Sequence, residues 1–314
     1  MKTTDTTRGS VYDQITDRII ALLEQGVVPW RKPWKAQSGL PRNLVTKKPY
    51  RGINVVLLHA MRYESPYWLT FRQAIELGGN VRKGEKACPV VFWKRLDIED
   101  KETGETEKIP LLRFYYCFNV AQCDRLKNIP ANTNETPLNA PAKPEEIIAS
   151  MPNHPQIRHG MREAFYSPTQ DIVAMPERAR FDNEAGYFAT FYHELTHATG
   201  HPSRLNRPTL TESAGFGSNP YCKEELIAEM GAAFLCGHAG LAETTVENSA
   251  SYIQNWLKEL QNDKKLMVQA AAQAQKAADF ILGIKHEEAP AEQKETSSVD
   301  SRQPAITAAT PDGD

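Results

Sequence analysis

A chain of 314 residues, 40% hydrophobic and 24% charged, has ordinary globular composition and enough length for two domains. No run approaches the roughly eighteen apolar residues of a membrane span, and residues 1–30 lack the apolar stretch of a signal peptide, so no membrane role and a cytoplasmic location are expected. The net charge of −2 hides an asymmetry: residues 1–96 hold 17 Lys and Arg against 7 Asp and Glu, a net of +10, leaving −12 on the other 218. A basic half of this kind points to a polyanionic partner. Five cysteines without a CxxC pair are expected to be free thiols in a reducing compartment.

Residues 10–25, SVYDQITDRIIALLEQ, place Val11, Ile15, Ile19, Ile20, Leu22 and Leu23 at helical spacing, with Ser10 and Asp13 as an N-terminal capping signature. Gly26 ends that helix, and the proline-interrupted VVPWRKPW reads as an extended loop. Helices are predicted for RGINVVLLHAMR and for WLTFRQAIELGG, the latter stopped by Gly78 and Gly79. ACPVVFWKRLDI and KIPLLRFYYCFNVAQC read as strands joined by the charged hairpin loop EDKETGETEK. The amino-terminal α+β domain then spans 1–127, and the Pro/Asn/Thr-rich segment 128–144 is a linker. A second unit, 145–285, begins with a helix and two short strands around EAFYSPTQDIVAMP. Helices over 184–199, 223–239 and 245–283 follow. The tail 286–314, rich in Glu, Pro, Ser, Thr and Ala, is expected to be disordered.

The chemistry concentrates in EAGYFATFYHELTHATGH. His193, Glu194 and His197 form HExxH on a helix, which sets two imidazoles one turn apart on one face. Both can ligate one Zn²⁺ (Mn²⁺ or another divalent ion being alternatives), while Glu194 acts as general base on the bound water. Tyr187, Phe188, Phe191 and Tyr192 mark the helix as buried, and a buried helix needs partners for these polar groups. The third ligand is open to choice. A longer HExxHxxGxxH pattern fails because Ser203 occupies its last position, and Gly200 and Pro202 turn His201 away. Glu225 and Glu229 lie one turn apart on the next helix; Glu229, followed by small residues that permit close helix approach, is the expected ligand, with Glu225 its neighbour or a solvated carboxylate.

In the basic half, Trp30, Trp34 and Tyr50 alternate with Arg31, Lys32, Lys35, Lys48 and Arg51, and Lys83 and Lys86 follow downstream. Aromatic faces stack unpaired bases while cations track phosphates, so this mixture suits single-stranded DNA. Trp30 and Trp34 are the expected stacking residues; Trp68, Phe71 and Trp93 are expected in the core. The segment Ile172–Met175, followed by Pro176, is expected to be an edge strand beside the metal along which a substrate peptide lies.

PWRKPW, PYRGINVVLL, WLTFRQAIELGGNVRKGEK, AFYSPTQDIVAMP, FYHELTHATGHPSRLNR and EELIAEMGAAFLC together resemble the plasmid-borne ArdC-type antirestriction proteins, over about residues 8–283. The amino-terminal domain of that family is shared with TraC-type plasmid primases. The resemblance implies an amino-terminal single-stranded-DNA-binding domain and a carboxy-terminal zincin-like metallopeptidase domain similar to SprT/Spartan proteases. It also implies protection of incoming plasmid DNA from host restriction during conjugation. Two functions are compatible with this: a DNA-recruited metallopeptidase acting on an unidentified host protein, or a DNA-binding shield with a structural or vestigial metal site. The intact Glu194 favours the first, since a structural site needs ligands but no base.

Overall fold

The computed structural model describes residues 10–30, 40–99, 106–127, 129, 143–211, 219–241 and 250–285. The hairpin tip, the linker apart from Ile129 and Lys143–Pro144, the tail, and Arg31, Lys32, Trp34 and Lys35 therefore lie outside the described residues.

The chain opens with α1 (Val11–Glu24), whose first turn is closed by a reciprocal cap: Asp13 N–H donates to Ser10 Oγ and Ser10 N–H to Asp13 Oδ2. Its buried stripe of Ile15, Ile19, Ile20 and Leu23 follows the helical period read from the sequence. Next come β1 (Arg42–Asn43), α2 (Ile53–His59), β2 (Tyr67–Thr70), α3 (Phe71–Glu76), β3 (Asn80–Val81), β4 (Cys88–Glu99), β5 (Thr106–Asn119) and β6 (Cys123–Asp124). The segment WLTFRQAIELGG is thus not one helix. Trp68, Leu69 and Thr70 pair with β5, and Thr70 then caps α3 through Gln73. Helical spacing could not reveal that switch, because the strand is too short to show alternation of its own.

The main sheet has the order β1-β2-β5-β4, antiparallel except for β1 on β2. Its free β4 edge is capped by Asn54 of α2, whose side chain accepts from Val91 N–H and donates to Val91 C=O, each at 2.8 Å.

The second half runs through α4 (Pro144–Ser150), β7 (Gln156–Arg158), β8 (Phe165–Ser167), β9 (Ile172–Ala174), α5 (Glu184–Ala198), α6 (Pro208–Thr211), α7 (Asn219–Ala239), α8 (Ala250–Asn262) and α9 (Leu266–Ile281). The predicted long carboxy-terminal helix is broken between α8 and α9, at Asp263–Lys265. The small sheet has the order β7-β9-β8, and all three residues of β9 are buried. Ile172–Met175 is therefore the centre of its sheet and not the substrate-facing edge. The same apolar run suits either place, and pairing on both sides decides it.

The halves do not stand apart. The described residues up to Ile284 cluster as one compact unit, and one apolar core holds residues from both halves. Trp30 packs edge-to-face on Trp256 of α8, with ring centroids 5.2 Å apart. Thr16 of α1 donates to the Lys264 carbonyl at 2.7 Å, and Arg51 ion-pairs with Asp279 of α9. Trp30 is 1% exposed and Tyr50 8%, its hydroxyl 3.3 Å from Cys117 Sγ, so neither is a stacking residue. The basic sequence around them hid that both rings face inward, Trp30 onto Trp256 and Tyr50 towards Cys117. Lys48, Lys83 and Lys86 are exposed; Arg51 spends its guanidinium on Asp279.

Candidate metal centre

Helix α5 starts at Asn183, whose side chain accepts from Gly186 N–H at 2.8 Å, and carries the buried rings of Tyr187, Phe188, Phe191 and Tyr192 into the core. That burial fixes the helix's rotation and leaves His193 and His197 facing α7. At the crossing of the two helices lies Gly231: a Cβ there would be 2.5 Å from Thr196 Cγ2, so only glycine permits the approach.

The donor atoms of His193, His197 and Glu225 all lie within 4.8 Å of one another. The two Nε2 atoms are 3.1 Å apart, Glu225 Oε2 is 3.5 Å from His193 Nε2, and Oε1 is 3.4 Å from His197 Nε2. Ligands at about 2.1 Å around one tetrahedral ion are separated by about 3.4 Å, so this donor triangle fits a single divalent metal. The expected ligand Glu229 is not in the group. It acts on His193 through its charge. Glu225, the residue read as its neighbour, is the carboxylate that stands with the two histidines. His201 is turned away as expected, its Nδ1 2.8 Å from Ser203 Oγ.

Behind the donors is a layer that the sequence did not reveal. Glu224, 3% exposed, places Oε1 3.4 Å from His197 Nδ1. The same carboxylate accepts from Arg207 through Nε at 3.1 Å and through Nη2, and from Thr209 Oγ1. Arg207 is itself 3% exposed and also donates to the Thr196 carbonyl at 2.7 Å. With Glu224 on Nδ1–H, the Nε2 lone pair of His197 is directed at the centre. Burial pushes the Glu224 carboxyl up, but His197 and Arg207 outweigh this and hold it at about 2. Burial likewise lowers His193 and His197, yet the carboxylate of Glu225, joined at His197 by Glu224, raises both. The sequence clue was the acidic doublet Glu224–Glu225 together with two arginines just after HExxH, since buried acids require buried cations.

A second arginine builds the rim. Arg204, its side chain fully buried, donates from Nε to the Ala198 carbonyl at 2.6 Å and from Nη1 to Asp171 at 3.1 Å; Nη2 reaches the Tyr166 hydroxyl at 3.1 Å. It thereby ties β8 and its turn to the end of α5. A cavity of about 420 Å³ opens over the donors, walled by Phe165 and Tyr166 of β8, by Pro168 and Leu210, and by Glu194, His193 and His197. Glu194 is thus beside the donors and faces the space a reacting group would occupy.

The family model for a zincin-like metallopeptidase matches residues 143–273, and that for the N-terminal domain of anti-restriction factor ArdC matches residues 9–118. The crystal structure of the antirestriction protein ArdC from the R388 plasmid, in its metal-free form, is 43% identical, covers 87% of this chain and 97% of its own, and superposes with a TM-score of 0.72. This chain belongs to the ArdC antirestriction family. The Mn(II)-bound form of the R388 protein is similar at 41% identity and a TM-score of 0.70, over 87% of this chain and 97% of its own. With the zincin-like domain, this supports a divalent metal. A Sinorhizobium fredii protein, y4eC, is 34% identical over 88% of this chain and 93% of its own length. The Escherichia coli DNA primase TraC is 35% identical over 88% of this chain, which spans only 27% of that protein. The ArdC family is an α+β fold with these two domains, as the sequence led one to expect. Among the described residues, no helix is long and apolar enough to cross a membrane.

Proposed function

We propose that this protein binds single-stranded DNA through its basic half and hydrolyses a peptide bond of a host protein at the α5–α7 centre, protecting incoming DNA in the recipient cytoplasm during conjugation. The observation that carries this reading is the convergence of His193, His197 and Glu225 within 4.8 Å, with Glu194 lining the open cavity above them. The DNA-directed part is supported by the +10 excess of residues 1–96 and by the similarity to a DNA primase.

Zn²⁺ suits a donor set of two imidazoles and one carboxylate, with Mn²⁺ an alternative. When bound, the ion lowers the pKa of a water and polarises the scissile carbonyl. Glu194 takes the proton of the attacking water on its carboxylate and returns it to the leaving amide nitrogen. Among the described residues β8 pairs only with β9, so its other edge is open, and Phe165 and Tyr166 place it on the cavity. An extended substrate lies along β8, pairing by main-chain hydrogen bonds.

The test is Glu194→Gln. It should retain the metal and DNA affinity, while the abundance of a cleaved host protein and the protection of transferred DNA both revert to the level of cells without the gene. Full protection by Glu194→Gln would instead make the chain a non-catalytic DNA-binding shield with a structural metal site.

A further inference from the structure

Among the described residues, the aromatic side chains that face solvent do not include Trp30 or Tyr50. In the β4–β5 hairpin Cys88 pairs with Cys117, Val90 with Tyr115 and Phe92 with Arg113, and side chains alternate between faces. The face carrying Cys88 turns towards α2, where Cys88 Sγ meets the Leu57 carbonyl. The opposite face carries Trp93, Phe114 and Tyr116. Leu69 of β2 pairs with Phe118 and so shares that face, but there it is covered through Ala74 of α3. On the rest of that face Val91 and Leu112 are buried at 7% each, while the rings beside them are exposed, Trp93 at 54% and Tyr116 at 48%; Phe71, at the start of α3, is 56% exposed.

Trp93 is level with Leu112, four residues from Tyr116, with Phe114 midway. At about 3.4 Å per residue the row is roughly 14 Å long. Patches of exposed rings on one face mark a binding surface. The segment 71–96, which supplies Phe71 and Trp93, contains six Lys and Arg against two Asp and Glu, with Lys83 and Lys86 exposed just before β4. Rings that stack any base, beside cations that neutralise phosphates, suit an unpaired polynucleotide.

We infer that the outer face of the β4–β5 hairpin, centred on Trp93 and Tyr116, is the surface on which single-stranded DNA stacks. This rests on the DNA-binding reading above and assigns it a place. A strand running along β5 presents successive bases to Tyr116, Phe114 and Trp93, while its phosphates are met by the cations preceding β4.

The experiment uses the full-length chain and a fluorescein-labelled oligothymidylate, with anisotropy measured over a salt series. Trp93→Ala and Tyr116→Ala should each weaken binding by between about fivefold and a hundredfold. The slope of log affinity against log salt should stay at the wild-type value, since no cation is removed. Trp93→Phe should recover most of the affinity, and DNA should quench tryptophan emission in wild type but much less in Trp93→Phe. Among the described residues Trp30, Trp68 and Trp256 are 1–2% exposed and shielded from such quenching. If wild type binds and both alanine variants bind within twofold of it, this face is not the site, although the DNA-binding reading stands. If wild type does not bind, both fail. A concentration-dependent dimer lost in Trp93→Ala, with DNA affinity unchanged, would overturn the inference in favour of a second copy of the chain.

Discussion

Glu224 Oε1 lies 3.4 Å from Nδ1 of His197, and Arg207 holds the other side of that carboxylate with two guanidinium contacts. The carboxylate thus orients a candidate metal ligand from the side away from the metal. Partners of this kind are worth about 10- to 100-fold in metal affinity. Glu224→Gln should lower affinity within that range in competition against a chelator, while the metal-free protein keeps its far-UV circular dichroism. Affinity unchanged from wild type would mean that Glu224 serves only the packing of Arg207.

The third ligand is decided by comparing two variants one turn apart. Glu225→Ala should reduce bound metal to a small fraction of one equivalent after dialysis, and Glu229→Ala should leave the stoichiometry near one. The reverse result would restore the assignment expected from sequence and move α7 by about 40° of rotation relative to α5.

Without metal the centre makes a specific pH dependence. Glu224, depressed from 4.5 to about 2, contributes stability that is complete above pH 4.5 and is lost as pH falls towards 2. His197 is raised above 6.5, so its contribution is complete below pH 6.5 and is lost as pH climbs through its folded value. In EDTA the difference in melting temperature between wild type and Glu224→Gln should therefore be largest between about pH 4.5 and 6.5 and shrink on both sides. A difference independent of pH would show that Glu224 does not act as a charge.

Trp30 serves the core. Trp30→Ala removes a side chain that is 1% exposed and packed on Trp256, and should cost roughly 3–5 kcal/mol of folding stability. The folded fraction should bind DNA as wild type does. Because Trp30 and Trp256 come from opposite halves, a fragment ending at residue 127 should give a broad, weakly cooperative melting transition or none. A sharp transition in that fragment would show the shared core to be dispensable.

Local patterns carried much of the reading. The spacing of His193 and His197 fixes two donors on one helical face whatever surrounds it, and the cap at Ser10 closes within four residues. The two strands of the β4–β5 hairpin were legible from their composition, rich in Val, Ile, Leu and aromatic residues on either side of a charged, glycine-containing loop. Other features depend on partners remote in sequence. That Glu225 and not Glu229 joins the donor group depends on how α7 packs on α5, where Gly231 lies against Thr196. Strand β9 is central because β7 and β8 pair on either side of it. Trp30 is buried and Trp93 exposed because Trp256 of α8 packs on the first, while on the second's face Ala74 of α3 packs with Leu69 and Trp93 remains 54% exposed. An aromatic residue beside lysines reads the same in both places. The sequence determined which chemistry the chain carries and on which elements, since those follow from short-range periodicity. Only the tertiary structure decided which carboxylate, strand and rings are presented, because facing is set by rigid-body packing between segments far apart in the chain.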